Sequence, residues 1–333
     1  MAYNKPKKQL TVWILADSRI GNINQAIGLA EHIGWNYELK PIEYNFWVKL
    51  PNCLLAVTPI HIKSSSFDSN DASKFPNVII SAGRRTASLA SYLRRKSGNK
   101  IKIIQIMHPN LPLQQFELVI LPYHDKINNN ELNILRITGA LNNVQAKIAT
   151  AGKALHQKYP QLGKFIAVII GGNSKNYNFT IENAREFAST LSNIVQDQHH
   201  TLFISFSRRT PGGVKQIITN NIPHTAIIYD PTQAEGPPNP YLGMLAEADY
   251  IVATADSISM CSEAASTGKP LYILCPKNFK SHKHLSFVQQ LVKLGIAKML
   301  NNSTSKLVPY TYTPLNEVAR IANIVISKIE TTS

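Results

Sequence analysis

Three short stretches in the second half of the chain carry residue types suited to a phosphate-bearing ligand. Gly171-Gly172-Asn173-Ser174-Lys175 has two adjacent glycines, whose backbone N–H groups can approach an anion closely, and Lys175 adds charge. Ser207-Arg208-Arg209-Thr210-Pro211 sets two guanidinium groups before a helix start, with Thr210 as the expected N-cap and Pro211 as the first helical residue. Thr254–Pro270 places Asp256, Ser257 and Ser259 at another helix start, with Asp256 or Ser257 as the cap and Glu263 on the same expected face as Asp256 and Met260. Any one of these loops, taken singly, reads as a turn with solvated charge. Three of them at neighbouring strand ends would converge on one ligand. In the first half, Asp17, His108 and Asp125 could take a proton from an acceptor hydroxyl, although each also suits a cap or turn. No Asp-x-Asp pattern appears, so no metal and no cofactor are expected.

The elements that must hold these residues alternate. Apolar runs at 10–16, 37–42, 76–81, 100–107 and 116–121 read as strands, each followed by polar residues that fall along one sheet edge. Around 142–163 a polar helix and Tyr159-Pro-Gln-Leu-Gly163 mark a domain junction. The strand–helix theme then restarts, with strands at 165–170, 201–206, 224–229, 250–253, 271–274 and 297–300, and helices including 181–195, 285–294 and 315–329. Strands alternating with helices predict α/β architecture, two Rossmann-like doubly wound domains over 1–150 and 151–333. The terminal helix is a candidate to pack back on the first domain.

The chain has 333 residues and a net charge of +15, with +9 in residues 1–150 and +6 in 151–333. Such a field favours phosphorylated substrates or an acidic membrane surface. Nucleic acid is not expected, because no recognition motif is present and aromatics are not interleaved with Arg. No apolar run approaches the roughly 20 residues that span a bilayer. No signal-peptide core follows the basic N-terminus, so a cytoplasmic protein, peripheral at the inner face of the membrane, is expected. Cys53, Cys261 and Cys275 are far apart and flanked by apolar residues, which predicts buried free thiols.

The run Glu263-Ala-Ala-Ser-Thr-Gly-Lys-Pro270 resembles the Glu-Ala-x-x-x-Gly-x-Pro segment in the nucleotide-sugar-binding half of glycosyltransferases with the two-domain GT-B fold. In those enzymes the Glu bonds the donor ribose. The loops Ile80–Thr86, Ile104–Pro109, Ile170–Lys175, Ser207–Pro211, Asn239–Gly243 and Thr254–Ser259, in this order, resemble the mitochondrial fission ELM1 family from about Val12 to about Ile321. At the first loop the family pattern Asp-Gly-Lys-x-Gly-His stands here as Asp17-Ser-Arg-Ile-Gly-Asn22. The resemblance implies a GT-B-like fold with the domains facing across a cleft, the second holding a nucleoside-diphosphate sugar. It adds Asn239 and Tyr241 to the donor-binding candidates. A glycan or lipid-linked acceptor of the cell envelope would enter from the first domain, in a transfer that needs no metal. The alternative it implies is a non-enzymatic membrane-surface adaptor, as in the plant fission factor.

Overall fold

The computed structural model describes residues 10–63, 75–125, 131–174, 177–233, 239–276, 279–301 and 304–330. Lys175 lies outside the described residues. The chain divides into two units, Met1–Asn143 with Glu317–Ser333, and Val144–Asn316.

The first unit runs β1 (Val12–Ala16), α1 (Ile20–Ile33), β2 (Tyr37–Pro41), α2 (Asn52–Leu55), β3 (Val78–Ala82), α3 (Arg84–Lys96), β4 (Lys102–Ile106), β5 (Leu118–Pro122) and β6 (Ile134–Ile137). Its six strands are ordered β2-β1-β3-β4-β5-β6, all parallel. Every residue of β3 and β5 is buried. That follows from their continuous apolar character, since a parallel sheet is covered on both faces. One face packs Ile14, Leu29, Ile80 and Ile104 with residues from the C-terminal helix, the other Leu15, Leu89, Leu93 and Ile103.

The second unit runs α4 (Val144–Lys158), β7 (Phe165–Ile170), α5 (Ile181–Gln198), β8 (Thr201–Phe206), α6 (Gly212–Asn220), β9 (Ile227–Tyr229), α7 (Tyr241–Glu247), β10 (Tyr250–Thr254), α8 (Ile258–Ala265), β11 (Leu271–Leu274), α9 (His282–Lys293) and β12 (Ala297–Leu300). The strand order is β12-β11-β10-β7-β8-β9, again all parallel. Phe165, Phe187, Phe203 and Phe287 are among the largest fully buried side chains of this core. The last helix, α10 (Glu317–Glu330), belongs to the first unit and buries Val318, Ile321, Ala322, Val325 and Ile329 there.

Both units are therefore doubly wound parallel α/β sheets, as the alternation of elements predicts. Two local expectations fail. The cap of α6 is Pro211, not Thr210, and the helix begins at Gly212. The Thr210 hydroxyl turns back instead, accepting from the Ser207 N–H at 3.0 Å and donating to the Gly171 carbonyl. Cys53 is exposed rather than buried, while Cys261 is buried and Cys275 half-buried. Of the two cap candidates of α8 the structure selects Ser257, whose side chain accepts from the Met260 N–H.

Candidate functional site

In the second sheet β10, β7 and β8 are neighbours, so the polar loops after them meet at the C-terminal edge. This is the edge at which open α/β sheets bind ligands. The centre is Asp256, whose side chain is fully buried. One carboxylate oxygen accepts from the Gly172 N–H at 2.8 Å, the other from the Thr254 hydroxyl at 2.7 Å. The Thr254 hydroxyl in turn accepts from the Gly171 N–H at 2.8 Å. Arg209 Nη2 stands 3.4 Å from the same carboxylate, and its Nη1 donates to the Asn173 carbonyl at 3.3 Å. Burial pushes the Asp256 carboxyl up from its ordinary range. The bonds from Thr254 and Gly172 and the charge of Arg209 pull the other way without cancelling it.

This geometry changes the reading of the Gly-Gly loop. A Cβ on Gly171 would lie 2.0 Å from Asp256 Oδ2, and one on Gly172 would lie 2.1 Å from the Arg209 carbonyl oxygen. The glycines are there because a carboxylate and a neighbouring backbone come close. Their N–H groups already serve the protein's own Thr254 and Asp256, so they are not open to an external anion. The donors left open lie one strand further. Pro211 gives α6 no side-chain cap, nothing lies within 4 Å of where a Gly212 Cβ would sit, and Arg208 is exposed with no bonded partner among the described residues. A helix start with unsatisfied N–H groups and a nearby guanidinium suits a phosphate.

Glu263 stands further along α8, about 9 Å from Ser257 at the helical rise. Its Oε2 accepts from the Tyr241 hydroxyl at 2.6 Å. Among the described residues no donor reaches Oε1. Burial pushes the Glu263 carboxyl up, partly offset by the Tyr241 bond, and burial with the Glu263 charge pushes the Tyr241 phenol well above its usual range. Asn239 turns inward to its own chain, its Oδ1 accepting from the Tyr241 N–H at 3.0 Å. Ser259 is half-buried in the first turn of α8, and Ser207 Oγ accepts from the Arg209 N–H at 2.9 Å.

The sequence reading did not single out His284. It sits at the start of α9, its Nδ1 2.7 Å from Ser281 Oγ and its ring against Phe279. It also reaches the Asp256 backbone, and burial together with the Lys283 and Arg209 charges pushes its pKa down.

In the first unit Asp17, His108 and Asp125 follow β1, β4 and β5 and share the C-terminal edge of that sheet. They are not one acid–base group. Three strand spacings separate Asp17 from Asp125, about 14 Å. Asp17 is buried, with Oδ1 accepting from the Arg19 N–H at 2.9 Å and Oδ2 without a partner among the described residues. His108 is half-buried and its Nδ1 lies 2.8 Å from Asn110 Oδ1. The Asp125 backbone carbonyl accepts from Arg136 at 2.8 Å. Met107 and Asn110, which flank His108-Pro109, have φ of 65° and 53°. Left-handed backbone at a non-glycine residue is costly and concentrates at functional loops.

A family model for mitochondrial fission ELM1 matches residues 20–329. The chain belongs to the mitochondrial fission ELM1 family. An uncharacterized protein of Rickettsia prowazekii, RP120, is 46% identical over 95% of this chain and 98% of its own length. The mitochondrial fission protein ELM1 of Arabidopsis thaliana is 30% identical over 74% of this chain, and the match spans 62% of that protein. Among solved structures, the UDP-GlcNAc 2-epimerase of Methanocaldococcus jannaschii superposes with a TM-score of 0.57 at 14% identity, over 96% of this chain and 100% of the epimerase. The Neisseria meningitidis epimerase bound to UDP-GlcNAc gives 0.53 at 13% identity, with the same coverage. This ELM1-family chain thus has the GT-B-type fold of those epimerases. Among the described residues no helix is long and apolar enough to cross a membrane.

Proposed function

We propose that this ELM1-family protein binds a nucleoside-diphosphate sugar at the C-terminal edge of its second sheet and transfers the sugar to a glycan or lipid-linked acceptor of the cell envelope. The observation that carries the proposal is Glu263. Its Oε2 is held by Tyr241 while no donor among the described residues reaches Oε1, beside a strand edge whose next loops offer Arg208, Arg209 and the uncapped start of α6. A carboxylate so held accepts the hydroxyls of a ribose. The guanidinium groups and helix N–H groups then take the diphosphate and stabilise it as the leaving group. Ser257 and Ser259 would add hydroxyls at the start of α8. The GT-B neighbours that bind UDP-GlcNAc support a nucleotide sugar as the ligand class. Asp17 or His108 would serve as the base for the acceptor hydroxyl, and Asp125 would contact the acceptor from further along the edge. Donor binding would sit in the second unit and acceptor binding in the first.

A second reading, a non-enzymatic adaptor at a membrane surface, is favoured by the name of the Arabidopsis relative. The open Oε1 of Glu263 argues for the enzyme, since an adaptor has no use for it. A thermal-shift screen against UDP-, GDP-, CMP- and ADP-sugars separates the two. The proposal expects stabilisation by one nucleotide class and a loss of affinity of about 10- to 100-fold in Glu263→Ala, the equivalent of one hydrogen bond to a charged group. No shift with any nucleotide sugar would sink it.

A further inference from the structure

Between Tyr44 and Ile62 the chain exposes an unusual density of large apolar side chains. Phe46 is 68% exposed, Val57 61%, Leu54 53%, Ile60 48% and Trp47 39%. Phe46 and Trp47 lie side by side, ring centroids 4.3 Å apart. Single exposed apolar residues need no explanation, but a contiguous set does.

The segment is rigidly placed. Asn45 accepts from the Trp47 N–H at 3.0 Å and donates to the Ile60 carbonyl at 2.7 Å, closing the stretch on itself. Asn52 donates to the Arg84 and Pro109 carbonyls, both at 2.6 Å. The apolar side chains are therefore held at the sheet edge that carries Arg84 and His108.

Its charge is one-sided. From 44 to 62 the only formal charge is Lys49, which is exposed. Arg84 lies against the same segment, with Nη1 3.3 Å from Asn52 Oδ1 and Nη2 3.4 Å from the Val48 carbonyl. Arg19 is exposed beside Tyr44, whose phenol is pushed up by burial and by the buried Asp17 carboxylate and pulled down by Arg85 and Arg19. The carboxylate at the border, Glu43, is paired with Lys63 at 3.1 Å.

From this combination we infer that residues 46–60 seat the first unit on a bilayer surface bearing anionic headgroups. Trp and Phe favour the headgroup level, aliphatic side chains enter the acyl boundary, and the exposed Lys49 with Arg19 and Arg84 nearby complements anionic lipid. The apolar residues come from a single 3-10 turn, the single-turn α2 and the loop after it. That offers neither a long helix stripe nor a strand edge, the surfaces through which directional peptide recognition works. The inference does not require nucleotide binding. Together with the proposed activity it brings a lipid-linked acceptor to the edge that holds Asp17 and His108.

The test is co-sedimentation of the full chain, without nucleotide, with vesicles of phosphatidylcholine alone and of phosphatidylcholine with phosphatidylglycerol. A polarity-sensitive dye on the exposed Cys53 reports the contact point. The chain should bind the mixed vesicles, bind less with added salt, and shift the dye to an apolar spectrum. Phe46→Ser with Trp47→Ser should lower the partition coefficient at least about tenfold, since two large apolar groups no longer leave water. Lys49→Glu should lower it as well. All these residues are exposed, so unchanged thermal unfolding of the variants is the folding control. Absence of binding to the mixed vesicles would overturn the inference, as would equal binding by the double variant. So would a wild-type dimer that the double variant dissolves, which assigns the patch to a second copy. Vesicle binding without any nucleotide binding would leave this inference standing and remove the glycosyltransferase reading.

Discussion

A methyl group on Gly172 would lie 2.1 Å from the Arg209 carbonyl oxygen, and no side chain is there to move aside. Gly172→Ala should therefore displace the Ser207–Thr210 turn and cost about 2 kcal/mol or more in urea unfolding. Asp256→Ala should cost about as much or more, because it strands the buried Gly172 N–H and the Thr254 hydroxyl. A variant of either kind that unfolds like the wild type would contradict the central role given to this carboxylate. His61 makes a separate, pH-dependent contribution. It is fully buried against Ser88 and Tyr44, and burial lowers its pKa to about 4. The unfolded chain takes up this proton near pH 6.5, before the folded one does. The stability from neutral His61 is thus present above about pH 6.5 and is lost as pH falls toward 4, about 3 kcal/mol in all. Urea titrations at pH 7 and pH 4 should show His61→Gln lacking that part of the acid loss. Parallel losses in both proteins would refute the assignment.

At the scale of elements, the unbroken apolar strands were legible. The runs 165–170 and 271–274 coincide with β7 and β11, every residue of which is buried, because a strand buried on both faces has no polar interruption to blur its ends. The bounds of β8 and β12 also match, although β8 carries Thr201 and Ser205 and the edge strand β12 exposes Lys298 and Met299. Other elements were not legible. The strand Ile134–Ile137 lies among polar Asn and Arg residues, and α7 is a seven-residue helix after a Pro-rich stretch. Thr210 followed by Pro211 has the local signature of a cap, yet the Gly171 carbonyl claims its hydroxyl from across the sheet. Contacts between residues distant in sequence stayed hidden for the same reason. Tyr241 and Glu263 meet only once α7 and α8 are in place, and His284 reaches Asp256 only through the start of α9. The helix α10 gives an element-scale prediction. Ile321 and Val325 are fully buried in the first unit, so Ile321→Ala should cost about 2–5 kcal/mol. A change below about 1 kcal/mol in chemical unfolding would mean that α10 is not part of that core.

At the scale of the whole molecule, the net charge of +15 is shared between the two halves, in keeping with an anionic ligand on one unit and an anionic surface under the other. Membership of the ELM1 family and the GT-B-type fold set the frame within which the site works, and the reaction depends on what the edge of the second sheet holds. A crystal of the protein soaked with UDP, GDP, CMP and ADP together tests this most directly. The account predicts one nucleotide, with a ribose hydroxyl at hydrogen-bond distance from Glu263 Oε1 and its phosphates against Arg208 and the first turn of α6. Nucleotide density elsewhere, or an edge that stays free of nucleotide while Glu263 keeps only its Tyr241 bond, would contradict it.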